Sequence, residues 1–164
     1  MKKNLIQLFI IGLIGIGFIG CGPGPMQIQG IGPLNTPVFK PVILDTVNDG
    51  SKEVYFKESV VGLYENKEFK GFGNFVITDN GVYYVRWDAT AYIYTTSYQI
   101  KINDIKMLTT DKVIRSFLPD SDILVIEDKR GQKVGFSIVK KLAAKNIIYE
   151  LIEKKGKGKL PTNK

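Results

Sequence analysis

The chain has 164 residues, a formal net charge of +7, 44% hydrophobic and 24% charged residues. That length suits one domain with additions, and that composition is not of a disordered type. Histidine is absent and cysteine occurs once, which excludes histidine general bases, Ser–His and Cys–His nucleophile pairs, an internal disulfide and Cys/His zinc sites.

The first residues are Met1-Lys2-Lys3-Asn4, followed by an almost wholly apolar run that ends at Gly20 and Cys21. A positive start, an apolar stretch and a small residue before the cut describe a secretory signal. The unbroken apolar part, 8–21, spans about 21 Å as a helix, short of the ~30 Å hydrocarbon core of a bilayer. Phe18-Ile19-Gly20-Cys21 resembles the lipobox of bacterial lipoproteins, with Phe where Leu is commoner. The resemblance implies that residues 1–20 are removed, that the Cys21 thiol carries diacylglycerol, and that the chain is held on the exported side of a membrane in the cell envelope. Two acyl chains give stable anchoring where one gives only marginal binding. An uncleaved membrane helix and a cleaved, unlipidated signal are the plainer alternatives. The short apolar length weighs against the first and the cysteine at the cut against the second. Losing Lys2 and Lys3 with the leader takes the charge from +7 to +5.

Residues 21–41 are expected to be a tether. Gly22, Pro23, Gly24, Pro25, Gly30, Gly32, Pro33, Pro37 and Pro41 oppose helix and strand alike. At roughly 3 Å per residue such a tether would reach ~60 Å. The folded domain is expected over 42–155.

Within it, 52–64 is rich in Val, Tyr and Phe and predicts a strand, though Val54, Phe56 and Val60 share a parity with Glu58 and Gly62. A bent or bulged strand would explain the broken alternation. A charged loop at 65–70 leads to a strand over 71–78. Asp79-Asn80-Gly81 predicts a type I′ hairpin turn, because Asn-Gly tolerates positive φ at both positions. The return strand is 82–87, and 88–97 reads as a loop or strand extension. Tyr98, Ile100 and Ile102 alternate with polar residues as a half-buried strand does. Pro119-Asp120-Ser121-Asp122 reads as a turn, with a middle strand in 109–121 left open. A strand at 123–127, a turn at 128–131 and a strand at 133–136 follow. The period then becomes helical: Val139, Leu142, Ala143, Ile147, Ile148, Leu151 and Ile152 form a stripe. Ser137 is the candidate N-cap and Gly156 the stop. Residues 156–164 are expected to be a basic tail.

The segments Gly71-Phe72-Gly73-Asn74-Phe75-Val76-Ile77-Thr78-Asp79 and Val82-Tyr83-Tyr84-Val85, then Ile100-Lys101-Ile102-Asn103-Asp104-Ile105, a hairpin containing Gly131 and the final helix resemble bacterial pleckstrin-homology (PH-like) and GRAM-type domains. The resemblance covers about 53–155. It implies a mainly β fold: a small barrel of two near-orthogonal antiparallel sheets capped by the C-terminal helix. Such domains bind lipids, peptides or proteins, and the fold alone does not choose among them.

Phosphoinositide-binding PH domains use basic residues around their first hairpin. Lys67, Lys70 and Arg86 are therefore the candidate anion or lipid contacts, although Glu65 and Glu68 share that loop and a solvated loop is the bland alternative. Trp87, Tyr92 and Tyr94 are the candidate interaction platform, against ordinary core and cross-strand packing. Asp120 and Asp122 suggest a turn before a cation site. Lys154 to Lys164 could touch anionic lipid or simply keep the tail soluble. No residue set points to catalysis, a metal or a cofactor, and nucleic acid is an improbable partner for an exported, lipid-held domain. The function expected is a non-catalytic module that meets an envelope protein or lipid. The alternative is a structural envelope lipoprotein in which the domain is a spacer.

Overall fold

The computed structural model describes residues 32–156 apart from 116 and 117, and side chains outside 114–121. The leader, the lipobox at Cys21 and the tail beyond Gly156 lie outside the described residues. Seven antiparallel strands run β1 (Val54–Glu65), β2 (Glu68–Thr78), β3 (Gly81–Asp88), β4 (Ile93–Lys101), β5 (Ile105–Arg115), β6 (Leu118–Asp128) and β7 (Lys133–Phe136). Helix α1 (Phe39–Val47) precedes them and helix α2 (Lys141–Gly156) follows.

The strands form one open sheet in the order β4-β3-β2-β1-β7-β6-β5, not the small barrel of two near-orthogonal sheets that the resemblance implies. The sheet is strongly curled. Its two edge strands, β4 and β5, are joined by a single 3-10 turn of three residues, Ile102–Asp104. Seven flat strands would separate those edges by ~29 Å at the usual spacing, and such a link reaches only ~14 Å. Tyr98 of β4 and Phe136 of β7 accordingly meet at 5.4 Å between ring centroids, with three strands between them in the order. The bulge expected in β1 lies at Val60, where φ is 58° and the register with β2 slips between Glu58 and Val61.

The concave face gathers Phe56, Phe75, Tyr84, Ile102, Leu124 and Phe136 into one core with Ala144, Ile148 and Leu151 of α2. Val139 and Leu142 stand off the stripe, 85% and 73% exposed. Ser137 does not cap the helix. Its Oγ accepts the Gly62 N–H at 2.7 Å, while the Glu58 carboxylate accepts the N–H of Val139 and Lys140 at 2.5 and 3.1 Å.

The stretch expected to be tether enters the fold from Gly32 onward. Leu34, Phe39 and Ile43 are buried on the convex face against Val76, Tyr83, Val85, Trp87 and Tyr94. Pro41 is accommodated because it falls in the first turn of α1, where its missing N–H has no helical partner to lose. Lys57 fastens the helix: its Nζ donates to the Leu34 carbonyl and lies 4.8 Å from the Phe39 ring centroid. With both faces covered, β3 is buried at successive positions, 81–85.

Two turns differ from expectation. The type I′ geometry occurs at Asn66-Lys67, with φ of 52° and 68°, so 68–70 is strand and not loop. At Asp79-Asn80-Gly81 the hairpin forms without positive φ; the Thr78 hydroxyl instead accepts the N–H of Asn80 and Gly81, both at 3.2 Å. Residues 119–122, expected to be a turn, belong to β6, and a long β5 runs through 109–115.

Candidate functional site

The β1–β2 hairpin carries two of the proposed cationic contacts. Lys67 is at its tip and reaches Asp111 at 3.6 Å; Lys70 pairs with Glu68 at 2.8 Å. The hydrogen bond that Lys70 donates to Glu68 pushes the Lys70 ammonium above its ordinary range. Arg86 is exposed, and its guanidinium passes close to Gly71. Two of the three cations, Lys67 and Lys70, thus already face acids.

Beside them is a feature that sequence pattern missed. Phe69 and Phe72, 47% and 50% exposed, meet at 4.8 Å between ring centroids, and Phe69 lies 5.5 Å from the Tyr64 ring. Gly62 makes room: a Cβ there would come within 3.1 Å of the Phe69 ring and 2.9 Å of Ser137 Oγ. Val60 is also exposed, at the bulge. Two phenylalanines three apart carry no alternation signal, which is why the pattern did not mark them.

The aromatic platform divides. Trp87 and Tyr94 are 6% and 4% exposed and meet edge-to-face at 4.8 Å beneath α1; they are core, because a helix covers the face they share. A register slip after Tyr84 turns Tyr94 to the convex face while Tyr98 packs in the concave core. Only Tyr92 of the three is exposed, at 49%, followed by Ile93 at 51%.

An open cleft of about 670 Å³ lies where the curled edges approach, lined among others by Asp49, Tyr83, Tyr98, Lys101, Asp104 and Asp128. Two of its acids, Asp49 and Asp128, are committed to structure. Asp49 accepts the Ser51 N–H at 3.0 Å and the Tyr83 hydroxyl. Burial alone would raise the Asp49 carboxyl, but these bonds outweigh it and hold it low. Burial, then Asp49 itself, push Tyr83 far up. Both groups are moved away from neutrality, opposite to what proton transfer at neutral pH requires, so the pair clamps the loop after α1 to β3. Asp128 likewise closes the β6–β7 turn, accepting from Arg130 N at 2.9 Å and Gln132 N at 2.8 Å. Among the described residues no three metal-ligating side chains come together, and no helix is long and apolar enough to cross a membrane.

No family model matches the chain, and no curated protein matches it. Among solved structures it is similar to the crystal structure of the C-terminal domain of an unknown protein from Leishmania infantum, at 13% identity and a TM-score of 0.48, over 69% of this chain and 96% of that one.

Proposed function

We propose that the protein is a bacterial lipoprotein, anchored through Cys21 in the cell envelope, whose domain is a non-catalytic module for a protein partner. The domain is best described as PH-like: the long bulged β1, the curl that carries one sheet round its concave core and the terminal helix on that core support this. The lipobox residues support the anchor.

The observation that carries the interaction reading is the exposed Phe69–Phe72 pair. Half-exposed aromatics stacked on a strand surface resemble the anchors that dominate protein interfaces, and the neighbouring Lys67, Lys70 and Arg86 would favour an acidic rim on the partner.

A photocrosslinking residue at Phe72 in the full-length chain, irradiated in intact envelopes, should give one discrete adduct. Replacing Phe69 with Ser in the same chain should abolish it while leaving the thermal unfolding midpoint nearly unchanged, since a half-exposed ring contributes little to the core. Adduct formation that ignores Phe69→Ser would sink this reading.

A further inference from the structure

Gly32, the first described residue, lies at one end of the β3–β4 hairpin. Its φ is +63°, and a Cβ on it would come within 2.5 Å of Trp87 and 2.7 Å of the Tyr94 hydroxyl. Trp87 and Tyr94 are cross-strand partners just inside the hairpin tip. Between Cys21 and Gly32 lie only roughly ten residues, about 35 Å fully extended and about 18 Å as a flexible coil. A folded unit of this size is itself about 35 Å across. The side of the domain bearing Gly32 is therefore the side held nearest the anchor.

That side ends in a surface suited to a bilayer interface. Ala89, Thr90, Ala91, Tyr92 and Ile93 carry no charge, and all but the half-buried Ala89 are exposed. The tip is held in shape by Asp88, whose carboxylate accepts the N–H of Thr90 at 2.8 Å and Ala91 at 3.0 Å. Tyr92 leans on Trp87, ring centroids 6.3 Å apart. An exposed tyrosine beside an exposed isoleucine has the amphipathic chemistry of the headgroup layer.

We propose that the β3–β4 tip, residues 89–93, docks into the interfacial layer of the bilayer that holds the lipid on Cys21. The anchor then holds the chain at the membrane and the tip orients it there, with the tether limiting the search between them. The Phe69–Phe72 surface lies on the neighbouring hairpin. The inference rests on the lipoprotein reading, so its test must not depend on lipidation.

The chain contains no histidine and, once Cys21 is removed, no cysteine. A hexahistidine tag replacing residues 1–21 can therefore hold the chain on phosphatidylcholine–phosphatidylglycerol vesicles that carry a nickel-chelating lipid. A polarity-sensitive fluorophore on Ala91→Cys reports the tip. The same fluorophore on Lys129→Cys, beside the cleft at the other end of the hairpin, is the control. The expected result is a blue shift and quenching by nitroxide-labelled lipid at position 91, little of either at 129, and loss of both at 91 when Tyr92 and Ile93 are changed to Ser. A water-like signal at 91 on the vesicles, or equal quenching at the two positions, would overturn the proposal. Mass spectrometry of the native protein decides separately whether Cys21 is acylated, so a bare Cys21 would remove the anchor reading without altering what the vesicle measurement says about the tip.

Discussion

Asn66 and Lys67, with φ of 52° and 68°, close β1 on β2 in a two-residue turn. Asparagine tolerates that conformation; lysine carries a Cβ that costs about 1–2 kcal/mol there. The Lys67–Asp111 pair, 3.6 Å apart and largely solvated, returns little. Lys67→Gly should therefore raise stability by about 0.5–1 kcal/mol after the added chain entropy of glycine is subtracted. A urea titration would show the midpoint moving up. A lower midpoint would mean that the lysine makes contacts worth more than its backbone strain. Retaining a strained lysine at the tip of an exposed hairpin fits a position kept for contact more than for stability.

Elements with a sustained apolar run or period and a turn signal beside them were legible in the sequence: the 71–78 and 82–87 strands, the strand at 133–136 and α2. Where a second constraint overrode the pattern, it failed. Polar Thr109, Thr110 and Asp111 obscured β5 because an edge strand buries few of its positions. Pro119 suggested a turn, yet β6 is paired with β5 alone there, so no ladder bond on the open side is lost. For α1, glycine and proline counts outweigh Leu34, Phe39 and Ile43, and without that helix the sequence leaves Trp87 and Tyr94 open between core packing and an exposed platform. The Cys21 reading rests on its motif alone and lies outside the described residues, and the Phe69–Phe72 pair carries no pattern at all. The helix is open to direct test. A chain starting at residue 42 loses Leu34 and Phe39 from the convex core, at about 1.5–3 kcal/mol for each buried side chain. It should be about 3–6 kcal/mol less stable than a chain starting at 32, a large share of the 5–15 kcal/mol typical of a domain. Equal urea midpoints for the two would show that α1 does not hold the convex face.

At the scale of the whole molecule, the curl is secured at its seams by carboxylates. Asp79 accepts the N–H of Lys52 and Glu53 at 2.9 and 3.1 Å, tying the approach to β1 to the β2–β3 turn. Asp49 holds the loop after α1 to β3, and Glu127 accepts from Lys106 at 2.6 Å across β5 and β6. The Lys106 hydrogen bond is the main cause holding Glu127 below its ordinary value. For Asp79 and Asp128, burial pulls upward but is outweighed by backbone N–H donors, with Arg130 assisting at Asp128. In each case the folded pKa lies below that of the unfolded chain, so the unfolded state binds more protons as the solution is acidified. The stabilisation is complete above the unfolded carboxylate range, about pH 4, and is lost as pH falls through the folded values. Acid also adds to an already positive charge and increases self-repulsion. The urea midpoint should therefore be level near neutrality and fall steadily between about pH 5 and 2. Asp49→Asn, which keeps an acceptor for Tyr83 but cannot titrate, should start lower at pH 7 and fall less steeply. A midpoint that held constant into acid would mean that these carboxylates do not stabilise the seams, and that the curled sheet is held by its apolar core alone.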